Sequence, residues 1–155
     1  GGLLPENVGA ALQAALVLGV EFDPASTGPV LQGLDPVGRR QRRKIGGRHY
    51  LLDVAHNPAA VNKMLEDRCI NNCNKRKIAI FSAMADKDID GMLVPAAGCF
   101  DAWFLADKPD NPRAAAAADI AAVLRQAGQD HAHAGQNQSA QMLAMITQQI
   151  QGDGR

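Results

Sequence analysis

The sequence lacks the features that would assign it to several classes of protein. None of its apolar runs reaches the roughly 20 residues of a membrane-spanning helix, and its start lacks the basic and apolar regions of a signal peptide. Sixteen acidic residues balance sixteen basic ones, so no overall charge attracts nucleic acids or anionic membranes. We therefore expect a cytoplasmic protein that has no nucleic-acid or membrane partner.

Cysteine is scarce and odd in number. Cys69, Cys73 and Cys99 lack the regular spacing of a disulfide framework, so free thiols in a reducing compartment are the simplest interpretation. A helix would bring Cys69 and Cys73 to one face, but no second Cys or His pair completes a tetrahedral zinc site. We expect no metal ligands in this chain.

Three sequence motifs of nucleotide sites and hydrolases are also missing. The chain has neither GxxxxGK[ST] nor GxGxxG, so it carries no glycine loop of its own that would cradle phosphates. It also lacks the Ser/His/Asp elements of a nucleophile elbow. Any nucleotide site in this chain must rest on other residues.

What the sequence does contain is an alternation of short apolar runs with helical patterns. The 155 residues, 46% hydrophobic and 21% charged, suffice for one globular core. Strands alternating with helices predict right-handed, parallel βαβ units. We expect an α/β, Rossmann-like, three-layer fold, with a mostly parallel sheet and helices on both faces. Strands are predicted at 49–54, 77–83, 100–106 and 131–134, and helices at 3–18, 58–70, 89–97, 113–126 and 138–151.

The remaining segments are predicted as connections and helix ends. Asn7 is a plausible N-cap of the first helix, and Gly19 is suited to its C-terminal end. Residues 22–34, rich in Pro and Gly, predict a turn with at most a short helix. The basic run from Arg39 to Lys44 predicts a linker and a solvated edge strand. It lacks the interleaved aromatics that nucleic-acid binding would favour.

The segment from Tyr50 to Pro58 carries the most informative polar residues. Asp53 would lie at the carboxyl end of a parallel strand, where acidic residues accept hydrogen bonds from ribose hydroxyls. The alternative for Asp53 is a capping or solvent-facing role. His56 precedes a helix N-terminus, which suits a phosphate or an anionic intermediate. Asn57 is predicted to be an N-cap, with Pro58 at the first helical position.

A second polar cluster, Asp86-Lys87-Asp88, follows the next predicted strand. Because parallel strands end at the same edge of a sheet, Lys87 would reach a phosphate or a carboxylate near His56. The alternative is an ordinary solvated charge cluster in a loop. His131 and His133 are expected to be surface residues.

Four motifs together resemble one known family. Asp53-Val54-Ala55-His56-Asn57-Pro58 resembles the D-[GV]-A-H-N-P motif of folylpolyglutamate synthases and bifunctional dihydrofolate synthases, which belong to the Mur superfamily of ATP-dependent amide ligases. The other matches, in the family's order, are Leu4-Pro5 with the first helix, Gly38-Arg39-Arg40-Gln41 and Met84-Ala85-Asp86-Lys87-Asp88. Val37 stands where the family usually has proline.

The resemblance implies a fold, an activity and a set of site residues. It assigns residues 1–36 to the tail helix of a central ATPase domain and its linker, and residues 37–155 to a Rossmann-like C-terminal domain. Arg39, Asp53 and His56 would bind ATP, and His56 and Lys87 would act in catalysis. The implied ligands are ATP with Mg²⁺, held mainly by the central domain, L-glutamate, and folate or dihydropteroate.

The implied reaction joins L-glutamate to a pteroate or folate carboxylate through an acyl phosphate. Because a helix that ends at 152–154 should lead into another core strand, we expect a piece of a longer, monomeric enzyme that is inactive by itself. Two alternatives remain open: the C-terminal domain of a cell-wall Mur amino-acid ligase, and a Rossmann-like binding module without catalysis.

Overall fold

Two separate β-sheets organise the computed structural model, which describes residues 3–67, 70 and 74–134. One sheet has two antiparallel strands and the other has three parallel strands. They lie in two compact units, Gly1–Val54 and Ala55–Arg155. We call these the hairpin unit and the sheet unit.

The hairpin unit contains two helices followed by a β-hairpin. Its helices are α1 (Pro5–Val17) and α2 (Pro24–Gly33), and its strands are β1 (Gln41–Ile45) and β2 (Arg48–Leu52). Gln41 pairs with Leu52 in the antiparallel register. The two loop residues, Gly46 and Gly47, have φ angles of 54° and 77°, as a type I′ hairpin turn requires.

The helix boundaries in this unit correct two predictions. Helix α1 begins at Pro5 after Leu4, with no side-chain cap, so Asn7 lies inside the helix and the predicted N-cap was wrong. Residues 24–33 form a helix of 10 residues, longer than predicted. Asp23 explains that helix, because its carboxylate accepts hydrogen bonds from the Ala25 and Ser26 amides and Pro24 tolerates the first helical position.

The sheet unit contains the parallel sheet, in the order β3-β4-β5. Ile78 pairs with Ala102, and Trp103 pairs with Ala132. The unit also has a short 3₁₀-helix at Ala97–Cys99. In chain order its other elements are α3 (Pro58–Leu65), β3 (Ile78–Phe81), α4 (Ile89–Leu93), β4 (Ala102–Leu105), α5 (Ala117–Gln126) and β5 (Ala132–Ala134).

Helix α5 supplies the apolar face that covers this sheet. Ala117, Ile120, Ala121 and Leu124 are all buried, at the spacing of one helical face. They belong to one hydrophobic cluster with Leu105 of β4 and with Met92 and Leu93 of α4. The predicted α/β class with a parallel sheet is therefore confirmed.

Strand β2 does not pair as predicted. The sequence places the strand that ends near Asp53 in the parallel sheet, but β2 pairs antiparallel with β1 in a sheet of its own. A two-residue glycine turn explains this result, because it joins consecutive strands directly and forces them to be antiparallel.

Three helices are shorter than predicted by four or five residues, and one of them is α4, which ends at Leu93 rather than at residue 97. Helix α3 ends at Leu65, and α5 begins at Ala117 rather than at Arg113. The Ala115 amide donates to the Ala83 carbonyl oxygen, so the residues before α5 are bonded to another loop and cannot join the helix. The predicted helix at 138–151, Cys69 and Cys73 lie outside the described residues. No helix in the described ranges is long and apolar enough to cross a bilayer.

Candidate functional site

A short loop before the hairpin binds directly to the end of strand β2. The Arg40 amide donates a hydrogen bond of 3.2 Å to the Oδ2 atom of Asp53. The Val54 amide donates one of 2.8 Å to the Gly38 carbonyl oxygen. These two hydrogen bonds join two motifs that are separated in the sequence, Gly38–Gln41 and Asp53–Pro58. Gly38 binds Val54, and Arg40 binds Asp53.

The loop adopts a backbone shape that few residues tolerate. Gly38 has a φ of 68°, and a Cβ at this position would lie 2.9 Å from Cγ1 of Val54, so only glycine fits without movement. Arg40 also has a positive φ, 49°, which is uncommon for a residue with a side chain. The buried Gln41 side chain accepts a hydrogen bond of 3.2 Å from the Gly38 amide and closes the loop.

This fixed loop presents Arg39 to solvent. Arg39 is exposed, whereas Asp53 is half-buried. An exposed guanidinium on a rigid backbone can form paired hydrogen bonds with a phosphate or a carboxylate. Arg43, in the same basic run, instead binds Asp35 at 2.7 Å, and this hydrogen bond holds the pKa of the Asp35 carboxyl below its ordinary value.

His56 and Asn57 lie at the start of helix α3, in the sheet unit. Asn57 is the N-cap, since its Oδ1 atom accepts a hydrogen bond of 2.8 Å from the Ala60 amide. The predicted capping role of Asn57 is confirmed. His56 is exposed one residue earlier, beside a helix N-terminus that carries partial positive charge.

Lys87 lies in the loop between β3 and α4, beyond the carboxyl end of β3. Its ammonium nitrogen is 3.3 Å from the Oδ2 atom of Asp86, and its side chain is 33% exposed. The carboxylate of the next residue, Asp88, accepts a hydrogen bond from the Gly91 amide and caps α4. Only Asp86 of the two carboxylates contacts Lys87 within the described chain.

Arg113 joins this cluster from the loop that follows β4. Its Nη2 atom lies 3.2 Å from both carboxylate oxygens of Asp86. Hydrogen bonds from Lys87 and then from Arg113 hold the pKa of the Asp86 carboxyl below its ordinary value. Sequence reasoning missed Arg113, although a cation in the loop after the neighbouring parallel strand is a usable signal.

Two further polar residues follow the sheet strands. The Oδ1 atom of Asp107, after β4, accepts a hydrogen bond of 2.7 Å from the Ala117 amide at the start of α5. The Oγ atom of Ser82, after β3, is buried and has no hydrogen-bond partner among the described residues. Neither residue was selected from the sequence, where Ser82 lies inside the predicted strand 77–83 and Asp107 directly follows the predicted strand 100–106.

The four predicted site residues therefore belong to three local settings. The loop of Arg39 is bonded to Asp53, Lys87 belongs to the Asp86 cluster, and His56 precedes α3. The predicted approach of Lys87 to His56 assumed that both follow strands of one parallel sheet. That premise fails, because β2 lies in the hairpin; among the described residues, the ion-pair partner of Lys87 is Asp86.

The remaining residues considered in the sequence are two histidines and a cysteine. His131 and His133 are exposed, as predicted, and the His133 ring lies 5.3 Å from that of Phe104 between centroids. Cys99 is a free thiol. In the part of the chain that the structure describes, no three His, Cys, Asp or Glu side chains are grouped as metal ligands.

Comparison with known families identifies the class of protein. The family model for the Mur ligase, glutamate ligase domain, matches residues 38–153, which begin at the loop bonded to Asp53. The chain belongs to this family. No curated protein matches the chain.

Solved structures of folate enzymes share the fold. Escherichia coli FolC in complex with DHPP and ADP matches with a TM-score of 0.69 and 23% identity, over 96% of this chain and 40% of that one. Mycobacterium tuberculosis folylpolyglutamate synthase complexed with ADP and AMPPCP matches with a TM-score of 0.69 and 19% identity, over 90% and 32%.

A third similar structure is a complex with a nucleotide analogue and a metal ion. It is the bifunctional folylpolyglutamate synthase/dihydrofolate synthase from Yersinia pestis, complexed with AMPPNP and Mn ion. It matches with a TM-score of 0.64 and 23% identity, over 94% of this chain and 40% of that one. The chain thus spans about a third to two-fifths of the length of these structures.

Proposed function

We propose that this chain is the glutamate-ligase domain of an ATP-dependent enzyme that adds L-glutamate to dihydropteroate, to folates, or to both. The observation that carries the proposal is the hydrogen bond from the Arg40 amide to Asp53. It joins the two motifs to which the family resemblance assigns nucleotide contacts. The family model and the fold shared with folate ligases support the same activity.

Arg39 and Asp53 are proposed to hold the nucleotide. Arg39 supplies a cation to the phosphates from a loop that is fixed at both of its ends. Asp53 accepts from the ribose hydroxyls, and it also fixes the loop of Arg39 through the Arg40 amide. Removing the Asp53 carboxylate would therefore disturb two nucleotide contacts together.

His56 and Lys87 are proposed to act on the reacting groups. A carboxylate oxygen of the folate substrate attacks the γ-phosphorus of ATP, ADP leaves, and an acyl phosphate forms. The amine of L-glutamate then attacks the acyl carbon, phosphate leaves, and the nitrogen loses a proton as the amide forms. In both steps His56 and Lys87 position and stabilise negative oxygen atoms.

The proposed domain organisation follows from the family resemblance. Residues 1–36 are the tail helix and linker of the central ATPase domain, and residues 37–155 are the C-terminal domain. The family model starts at residue 38, close to this proposed boundary. We further propose a monomeric cytoplasmic enzyme, and the family resemblance implies that its Mg²⁺ ligands lie mainly in the central domain.

The 155-residue chain by itself is expected to bind ATP weakly and to form no glutamate conjugate, because it contains no P-loop motif. An assay with ATP, L-glutamate, dihydropteroate and folate, resolved by mass spectrometry, tests this expectation. A glutamylated product made by the purified chain would contradict it. If the proposed ligase that contains this domain instead formed product from a cell-wall peptide precursor, that result would favour the alternative, a cell-wall Mur amino-acid ligase.

Replacing His56 tests the assignment of catalysis directly. In the proposed ligase, His56→Ala should lower kcat by about 100-fold or more, as the loss of a positioned charge-stabilising group does. Folding should be unchanged, because His56 is exposed. His131→Ala is the matched control, because His131 is also exposed and directly precedes β5. An unchanged rate with all three substrates saturating would refute the role of His56.

A further inference from the structure

Residues 36–39 form a β-turn that presents Arg39. The Arg39 amide donates a hydrogen bond of 3.1 Å to the carbonyl oxygen of the first residue, Pro36. The third residue, Gly38, has a φ of 68°, whereas the φ of the second residue, Val37, is negative. A negative φ followed by a positive one is the pattern of a type II turn. The direction of the Arg39 side chain therefore depends on how firmly this turn is held.

Val37 does little to hold the turn. It occupies the second position of a type II turn, where proline is favoured because its ring fixes φ at about −65°. Valine lacks that restriction, and Val37 is 79% exposed. Within the part of the chain that the structure describes, its amide donates no hydrogen bond. The turn must therefore be held by other residues.

Asp35, directly before the turn, is bonded to strand β1, directly after it. Its Oδ2 atom accepts a hydrogen bond of 2.7 Å from Nη1 of Arg43, and the same nitrogen donates one of 3.0 Å to the Arg42 carbonyl oxygen. The hydrogen bond from Arg43, and a weaker one from the Gln41 side chain, hold the pKa of the Asp35 carboxyl below its ordinary value. Gln41 in turn accepts the Gly38 amide. These bonds tie the two ends of the turn together.

An ordinary surface ion pair is the alternative explanation for Asp35 and Arg43. Their side chains are 45% and 29% exposed, and exposed pairs contribute little to global stability. This pair differs from the others in what it encloses, because it joins the chain before the turn to the chain after it. The pair of Lys63 and Glu66, by contrast, links residues three positions apart in the sequence and encloses no loop. The position of the Asp35 pair therefore favours a local role at the turn.

We propose that Asp35 is a positioning residue for ATP binding, because its ion pair with Arg43 holds the turn that directs the Arg39 guanidinium to the phosphates. This inference rests on the proposed function and adds to it a residue that acts through Arg39. Without the pair, a smaller fraction of molecules keeps the binding-competent turn, and the apparent affinity for ATP falls by that fraction. Coulomb interaction alone predicts the opposite sign, because removing the Asp35 anion would strengthen the attraction of ATP.

Titration of the 155-residue chain with ATP, followed at the Gly38 and Arg40 amides by ¹H–¹⁵N NMR, tests the inference. Asp35→Asn should weaken ATP binding about threefold to fivefold and should speed hydrogen exchange at the Arg39 amide. Adding Val37→Pro should restore most of the affinity and slow the exchange again, because proline fixes the turn without the ion pair. In the proposed ligase, Asp35→Asn should raise the KM for ATP by the same factor, with little change in kcat.

The control is Glu66→Gln, which removes an exposed ion pair with Lys63 of 2.9 Å and should leave ATP binding unchanged. Three results would overturn the inference alone: ATP binding by Asp35→Asn that equals or exceeds that of the unaltered chain, an equal loss in Glu66→Gln, or a loss that Val37→Pro does not reverse. An unaltered chain whose Gly38 and Arg40 amides do not respond to ATP would overturn the proposed nucleotide contacts, and the inference with them.

Discussion

The hairpin unit and the sheet unit are stabilised by different interactions. Among the described residues, every fully buried apolar side chain belongs to the sheet unit, where Leu105, Ile120 and Leu124 have no exposed surface. In the hairpin unit, α1 and α2 contain no buried residue, and the buried side chain that closes the loop is the polar Gln41.

The interactions that stabilise the sheet unit therefore differ from those that set the geometry of the Arg39 loop. In the sheet unit, apolar burial stabilises the strands, and polar loops extend from their carboxyl ends. In the hairpin unit, the position of Arg39 depends on a few hydrogen bonds and two unusual backbone angles, at Gly38 and Arg40. Mutations should therefore affect global stability in one unit and local geometry in the other.

The largest expected effect is a core truncation in the sheet unit. Leu124→Ala should lower the free energy of unfolding of this unit by about 2–5 kcal/mol, because it removes a fully buried side chain and leaves a cavity. Leu16→Ala in α1 is the matched control. Leu16 is 57% exposed, so its truncation should change stability by no more than about 0.5 kcal/mol.

Urea unfolding followed by tryptophan fluorescence measures the effect of Leu124→Ala, because Trp103 lies in the sheet-unit core. Amide hydrogen exchange in α1 measures the effect of Leu16→Ala. If the two truncations proved equally costly, the proposed difference between the units would be wrong.

A smaller, local effect is expected at the loop before the hairpin. Gly38→Ala combines a positive φ with a Cβ placed 2.9 Å from Val54, and it should cost about 2–3 kcal/mol. Gly46→Ala also has a positive φ but meets no atom within 4 Å, so it should cost only about 1–2 kcal/mol. Hydrogen exchange of the β1 and β2 amides measures both.

A second substitution separates strain from the clash. In a Val54→Ala background the atom that meets the new Cβ is gone, so Gly38→Ala should cost no more than Gly46→Ala. A cost that stays unchanged in that background would locate the whole effect in the backbone angle, and would remove the close approach of Gly38 and Val54 from the explanation.

Local patterns in the sequence predicted the apolar elements of the sheet unit well. The strands around Ile78–Phe81 and Ala102–Leu105 lie within the predicted segments, since each apolar run is too short for a helix and is bounded by polar residues. The end of α5 was also predictable, because Gly128 has a φ of 83° and glycine favours that conformation.

Elements that depend on distant partners were not predictable in this way. The start of α5 depends on Asp107 and on the bond between Ala115 and Ala83, which no local pattern contains. Arg113 reaches Asp86 across 27 positions, so its contact is set by the order of the strands. The error at strand β2 is of another kind, because Gly46-Gly47 is a local signal for a two-residue hairpin turn that the prediction did not use.

The last comparison is between two buried polar side chains, Gln41 in the hairpin unit and Ser82 in the sheet unit, and the smallest effect is expected at Ser82. The Gln41 side chain is bonded to the Gly38 amide, whereas the buried Oγ of Ser82 has no partner among the described residues. Gln41→Met should therefore cost about 1–3 kcal/mol, because it leaves a buried amide without an acceptor. Ser82→Ala should be neutral or should stabilise the sheet unit by up to about 1 kcal/mol, because it removes an unsatisfied hydroxyl. Urea unfolding measures the Ser82 variant, and hydrogen exchange at Gly38 measures the Gln41 variant. A clear loss of stability in Ser82→Ala would mean that the hydroxyl has a partner in solution.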